Sequence, residues 1–237
     1  LQLSFYMYFS ENFLTKKGAD QMASLTLKHV DRAFPNGYEA VKDLNFQIED
    51  GEFVILTGPS GSGKSAVMRM IAGLDEVKNG EIWIGDKLVN SLPPEERGIA
   101  MIFQNYTVYP RMTVLENVEL GLRLRGIDEK EIGKRTLEVL ELLDLVEVRF
   151  AKVKNLSDLW KHRTALARAM ILEPDVILMD EPLRNVSPKF HHQLTQELVE
   201  LQERTGVTIL YATKNVEEMA LACTEQTSTP RLPMARK

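Results

Sequence analysis

Residues Gly58-Pro59-Ser60-Gly61-Ser62-Gly63-Lys64-Ser65 carry the clearest chemistry in this chain. They match G-x-x-x-x-G-K-S and directly follow the apolar run Phe53-Val54-Ile55-Leu56. Glycines at these spacings let the backbone curl until successive N–H groups point inward, which makes a cradle for phosphate. A lysine ammonium at position 64 suits the terminal phosphates, and the Ser65 hydroxyl suits Mg²⁺. The helical run Ala66-Val67-Met68-Arg69-Met70-Ile71-Ala72 adds the positive end of a helix dipole. A strand before and a helix after argue against a merely flexible glycine loop. The expected ligand is a nucleoside triphosphate with Mg²⁺, held by Gly58 through Ala66.

A second element appears at Val176-Ile177-Leu178-Met179-Asp180-Glu181, where an apolar strand delivers two carboxylates at its C-terminal end. Open α/β sheets bind their ligands at that end. In a hydrolase, Asp180 would hold the Mg²⁺ shell and Glu181 would polarise an attacking water as general base. Two acids ending a strand are otherwise a solvated turn, and it is the pairing with the upstream loop that favours the functional reading.

The elements that must position these groups alternate as in an α/β fold. Strand candidates are Ser24 to Val30, Leu44 to Ile48, Phe53 to Thr57, Glu81 to Ile84, Ile99 to Phe103, Val176 to Met179 and Thr208 to Ala212. Between Val114 and Leu172 the periodicity is helical, including Glu131 to Leu143 and a segment opening near Ser157, and the block reads as a helical insertion. Leu137, Leu140, Leu143 and Leu145 read as core, and the charges of Glu129 to Arg135 as a solvated helix face. His29 is expected on an exposed strand face. His162, His191 and His192 lack metal-ligand spacing, so no metal is expected beyond nucleotide-bound Mg²⁺.

Bulk properties exclude several rivals. A net charge of −5 and a pI near 5.5 give no electrostatic footprint for nucleic acid. The single cysteine, Cys223, cannot form an intrachain disulfide, which fits a reducing compartment. No apolar run reaches the roughly 20 residues that span a bilayer, so membrane association must come through a partner.

With both elements in place, the chain from about Ser24 to Ala222 resembles the ATP-binding cassette subunits of ABC transporters. The most specific passages, Ile102-Phe103-Gln104-Asn105-Tyr106-Thr107-Val108-Tyr109-Pro110-Arg111-Met112-Thr113-Val114 and Met179-Asp180-Glu181-Pro182-Leu183, are similar to the cassettes of bacterial sugar importers. The resemblance implies a P-loop NTPase sheet with flanking helices, a small antiparallel β subdomain and a helical subdomain at about 105–172. It implies ATP as ligand, a second cassette subunit as partner, and membrane permease subunits that hold the protein at the cytoplasmic face of the plasma membrane. It also implies that Gln104 touches Mg²⁺ or the attacking water, that Tyr106 to Met112 lie near the permease-facing surface, and that Phe34 stacks on adenine.

Departures from the family cluster in parts that act after ATP has bound. The signature Leu-Ser-Gly-Gly-Gln is here Leu156-Ser157-Asp158-Leu159-Trp160, which puts a carboxylate and an indole where a partner's γ-phosphate should meet bare backbone. The family's switch histidine corresponds to Lys214, which donates to phosphate but accepts no hydrogen bond. Ser187 replaces the usual Asp, and Ala66 replaces a common hydroxyl residue. Binding should survive these changes better than hydrolysis.

Residues 1–21 sit apart: Leu3 to Phe13 is aromatic and semi-apolar but lacks the flanks of a signal peptide. Codons for Lys17-Gly18-Ala19 can contain a purine-rich ribosome-binding sequence upstream of Met22, which points to Met22 as the start and to 1–21 as a non-native or disordered leader. After a cassette domain at 22–222, residues 223–237 form a polar tail with no strand pattern. The leading function is thus an ATP-hydrolysing importer subunit. The alternative is a nucleotide-binding, hydrolysis-deficient regulatory or degenerate cassette. A cassette acting on nucleic acid would carry a coiled-coil insertion or tandem cassettes, and neither is present.

Overall fold

Every residue of Phe53–Thr57 is buried, and the run has the β-branched and aromatic character of a strand covered on both faces. In the computed structural model, which describes residues 4–8, 24–33, 39–104 and 106–215, this strand is β4. The others are β1 (Ser4–Tyr8), β2 (Leu25–Ala33), β3 (Glu39–Ile48), β5 (Asn79–Ile84), β6 (Lys87–Leu88), β7 (Ile99–Ile102), β8 (Val176–Asp180) and β9 (Thr208–Thr213). The helices are α1 (Lys64–Ile71), α2 (Val114–Leu124), α3 (Glu129–Leu142), α4 (Asp158–Met170) and α5 (His191–Thr205). Each expected strand appears, Phe53–Thr57 with unchanged ends and the others with ends moved by a few residues, the largest change being the N-terminal extension of β3 to Glu39.

The chain divides into two compact units. The first takes residues up to Met101, Asp175–Glu181 and His192 onward. One of its sheets has the order β1-β4-β9-β8-β7 and the other β3-β2-β5-β6. In the first sheet β4 and β8 both run parallel to the central β9, so the ends of β4, β8 and β9 emerge together. In the second every pair is antiparallel. The core of this unit joins Leu25, Leu27 and Ile82 of the antiparallel sheet to Val67, Met68 and Ile71 of α1 and to Leu56, Leu178 and Leu210 of the other sheet. α1 is thereby fixed by apolar contact on several sides.

The second unit takes Ile102–Pro174 and Pro182–His191. Two of its helices begin on side-chain caps: Thr113 and Glu116 form a reciprocal capping box at α2, and Asp128 accepts from the Lys130 N–H at α3. Buried Asn117 ties α2 to the preceding loop, with its Oδ1 accepting from the Tyr109 N–H and its Nδ2 donating to the Tyr109 and Thr113 carbonyls. Leu140, Leu143 and Leu145 are core as expected, but Leu137 is 52% exposed. The leucine periodicity is right, and Leu137 falls on the outer side of α3 because Ile132, Thr136, Val139 and Leu140 define the buried stripe.

One element departs from the sequence reading. Ser4–Tyr8, assigned above to a leader outside the domain, pairs antiparallel with β4 in the register Ser4↔Thr57 to Tyr8↔Phe53. Its aromatic composition suits a strand. Met22, Phe34 and the tail at 223–237 lie outside the described residues.

Candidate phosphate and metal site

β4 ends at Thr57 and α1 opens at Lys64, so the glycine-rich sequence forms the turn between them. Gly61 and Gly63 have φ of 80° and 97°, in the left-handed region that side-chain-bearing residues rarely adopt. At Gly63 a Cβ would also approach the Ala40 carbonyl oxygen to 2.6 Å. Glycine is therefore required there by conformation and by space together. The turn is closed by the Ser62 N–H donating to the Pro59 carbonyl at 3.2 Å.

Lys64 is 4% exposed. Its ammonium donates to the carbonyls of Gly58 at 2.6 Å and Pro59 at 3.0 Å, curling back over the loop it belongs to. The charge is thus held against the mouth of the cradle by its own backbone. Ser62 Oγ is buried with no hydrogen-bond partner among the described residues.

Parallel pairing with β9 brings the end of β8 beside this loop. Asp180, the last residue of β8, is 6% exposed, and its Oδ1 accepts from Ser65 Oγ at 3.1 Å. These two residues are 115 positions apart in sequence. Burial pushes the Asp180 carboxyl above its ordinary pKa, and the Glu181 charge adds to this, while the Ser65 hydrogen bond, Lys64 and Arg69 pull the other way. A hydroxyl and a carboxylate oxygen side by side are the hard donors that Mg²⁺ prefers.

Glu181 follows with φ of 45°, a left-handed backbone that costs energy in a glutamate and turns its side chain away from the strand's alternation. Its N–H donates to the Ala212 carbonyl at 2.8 Å, which fixes this turn against β9. Lys214 is exposed directly beyond β9. Loop glycines, Lys64, Ser65, Asp180, Glu181 and Lys214 thus all belong to the first unit, as does Ala66, buried in the first turn of α1.

Gln104 belongs to the second unit, where its Oε1 accepts from Arg184 at 3.1 Å and its main-chain carbonyl accepts from Asn185 at 3.1 Å. In the same unit Tyr106 and Thr107 have φ of 58° and 48°. α4 holds this loop: the His162 ring meets Tyr106 edge to face at 5.6 Å, and Arg168 donates to the Thr107 carbonyl and lies over the Tyr109 ring at 4.8 Å. At the start of α4, Asp158 is paired with Lys161 at 3.4 Å, and Arg163 lies over the Trp160 ring at 5.1 Å. Sequence reasoning missed Arg184, because nothing in a polar loop residue signals a distant glutamine. Among the described residues no group of three or more His, Cys, Asp or Glu could hold a metal ion by itself.

A phosphate loop between a parallel strand and a helix, a carboxylate from the neighbouring strand end, and an inserted helical unit define a nucleotide-binding domain of the P-loop class. Residues 41–184 match the ABC transporter family, and the chain belongs to that family. Over 202 residues it is 44% identical to the sn-glycerol-3-phosphate import ATP-binding protein UgpC of Jannaschia sp. (strain CCS1), covering 85% of this chain and 58% of the relative. It is 45% identical to the protein of that name from Cupriavidus necator, covering 85% of this chain and 55% of the relative. The chain thus spans little more than half the length of these relatives. Among solved structures, the ATP-binding cassette MJ0796, described as a dimer in a post-hydrolysis state bound to ADP and Pi, superposes with a TM-score of 0.70 at 32% identity, covering 83% of this chain and 90% of that one. The cbiO1 subunit from Clostridium perfringens, part of the cbiONQ transporter complex, gives 0.75 at 26% identity, covering 84% and 81%.

Proposed function

We propose that this chain is the ATP-binding subunit of an ABC importer for sugars or related polyols, and that it binds MgATP and hydrolyses it slowly. The observation that carries the reading is the Ser65–Asp180 contact at 3.1 Å beside a lysine folded over a phosphate loop. On ATP binding, Lys64 exchanges its loop carbonyls for phosphate oxygens, and the loop N–H groups from Gly58 to Ser65, with Pro59 contributing shape only, surround the β-phosphate. Ser65 and Asp180 would hold Mg²⁺, which would supply screening of the phosphate charges. Glu181 takes a proton from water as the water oxygen attacks the γ-phosphorus and the bond to the bridging oxygen breaks, releasing ADP and phosphate. By the family resemblance Gln104 would meet the water or the metal and Lys214 would donate to the γ-phosphate; Phe34, expected at the adenine, lies outside the described residues.

Similarity to import ATP-binding proteins supports permease subunits as partners, a position at the cytoplasmic face of the membrane, and a sugar-like cargo. No helix of the described residues is long and apolar enough to cross a membrane, so the permeases would supply the path. The dimeric neighbour supports a second cassette as partner. The cassette domain on this reading extends to 222 with a helical subdomain near 105–172, and its sheet takes in Ser4–Tyr8 as well.

A second reading, a nucleotide-binding cassette that has lost the transport stroke, is favoured by the Asp158–Lys161 pair at the start of α4, where an incoming anion meets a resident carboxylate. ATP binding and steady-state phosphate release, measured beside Glu181→Gln, decide between them. Turnover that falls 10²- to 10⁴-fold in Glu181→Gln with binding retained establishes the ATPase. Tight binding with no turnover in the parent establishes the regulatory reading, and absence of binding overturns both.

A further inference from the structure

Arg97 follows Glu95 and Glu96 in a stretch that reads as solvated charge, yet it is 5% exposed. It forms no ion pair among the described residues; all its partners are main-chain carbonyls. Nη1 donates to Met70 at 2.9 Å and Ile71 at 3.0 Å, Nε to Leu92 at 2.9 Å, and Nη2 to Asn90 at 3.2 Å. Met70 and Ile71 are the last residues of α1. The space is prepared from the other side as well. Gly73 has φ of 77°, and a Cβ there would meet Arg97 Nε at 2.5 Å and Cζ at 2.7 Å.

The last carbonyls of a helix have no intrahelical partner and carry its negative end. The Met70 carbonyl already accepts from the Gly73 N–H at 3.1 Å; the planar guanidinium fork adds a charged donor to it, satisfies the Ile71 carbonyl and still reaches the 90–92 loop, a spread of donors that a lysine ammonium does not offer. α1 has only eight residues, about 12 Å at 1.5 Å per residue, and Val67, Met68, Met70 and Ile71 are fully buried. A helix so short and so tightly packed moves as a rigid piece, so whatever fixes its C-terminal end also fixes Lys64 and Ser65 at the other. The charge acts in the same direction. A cation on the negative end leaves the positive end less opposed where anionic phosphate docks.

We infer that Arg97 is a positioning residue for nucleotide binding, clamping the far end of the phosphate-loop helix and supporting the field at its near end. The inference rests on the nucleotide-binding reading above. It is tested on the full chain with Arg97→Lys, which keeps the charge with fewer donors, and Arg97→Met, which keeps much of the volume and removes the charge. Kd for ATP and for ADP, with and without Mg²⁺, is measured beside Tm without nucleotide and, where turnover is measurable, KM and kcat. The expected result is an affinity about 10-fold weaker in Arg97→Met and about 2- to 5-fold weaker in Arg97→Lys, appearing in KM with kcat within about 2-fold. Variants that lose Tm but bind nucleotide as the parent does overturn the inference, since a purely structural role predicts that result. If Arg97→Met does not fold, Arg97→Lys decides alone: weakened binding supports the clamp and unchanged binding overturns it. A parent that binds no nucleotide overturns the function reading itself, a result distinct from a binding parent with unaltered variants.

Discussion

Arg184 holds Gln104 by the atom that a metal or water would need: its Nη1 donates to Gln104 Oε1 at 3.1 Å, while Asn185 donates to the Gln104 carbonyl at 3.1 Å. The amide oxygen is the only acceptor on that side chain. A guanidinium resting on it competes with Mg²⁺ by occupancy and by like charge. Arg184→Ser should therefore lower the Mg²⁺ concentration for half-maximal turnover about 3- to 10-fold, the scale of one ordinary exposed hydrogen bond. A Mg²⁺ titration unchanged by the substitution would show that Gln104 does not act through Oε1.

Asp180 couples stability to pH in a defined direction. Its folded pKa is raised above the unfolded value by burial, so its contribution to stability is fully present below the ordinary aspartate range and declines as pH rises through the folded value. In the nucleotide-free protein the ionised form of this carboxyl is disfavoured by its burial. Asp180→Asn should raise Tm in the absence of nucleotide at pH 7 to 8, by about 2–4 °C for a relief of about 1 kcal/mol in a chain of this size. The gain should shrink as the pH is lowered and the parent carboxylate takes up its proton, and Mg²⁺-dependent nucleotide binding should weaken at least 10-fold. Thermal denaturation against pH, with and without MgATP, checks both halves.

The start of α4 should be separable from the rest of the site. Asp158 lies in the first helical turn, where a negative charge is favourable, and Ser157 supplies no side-chain cap. Restoring Gly-Gly-Gln by Asp158→Gly, Leu159→Gly and Trp160→Gln removes that support and adds glycine cost, so Tm should fall by several degrees. ATP-dependent self-association, read by sedimentation of a Glu181→Gln background, should nevertheless increase. A loss of Tm with no gain in association would exonerate the signature.

On the function proposed above, Lys214 would bear on turnover rather than affinity. A histidine can both donate and accept, so Lys214→His should raise kcat about 10-fold or more with Kd for ATP within about 3-fold. Phosphate release under saturating ATP measures it directly.

The cap of α2 gives a stability control remote from the nucleotide. Thr113→Ala removes the Oγ1 that accepts from the Glu116 N–H and donates to Glu116 Oε2, leaving only the main-chain N–H of residue 113 on the Glu116 carboxylate. A loss of about 1 kcal/mol is expected, which calorimetry would show as a Tm about 2–4 °C lower, with ATP affinity unchanged.

The local half of the site was legible. Gly58 to Ser65 declares its turn through residue types that only a phosphate loop demands, and Asp180 ends a strand whose unbroken apolar run marks it as central. Their meeting at Ser65 followed from the rule that parallel strands present ligands at one end. What could not be read is whatever depends on a side chain travelling far from its own segment. Arg97 looks solvated beside Glu95 and Glu96, and only the placement of α1 and Gly73 reveals a buried socket. Arg184 carries no local sign of its distant glutamine. Leu137 misled because helical spacing identifies a stripe without saying how wide it is, and Ser4–Tyr8 because an edge strand needs a partner that composition does not name.

That edge strand changes how an assembly experiment should be read. β4 has β9 on one side and Ser4–Tyr8 on the other, and it runs without interruption into the loop at Gly58. A protein begun at Met22 lacks Ser4–Tyr8 and leaves five residues of a deeply apolar strand with open donors and acceptors, a template for any extended segment that drifts past. Dimers seen in such a shortened protein would report strand capture at the border of the sheet. Only dimers that form with residues 4–8 in place, and that come and go with ATP, would report the cassette.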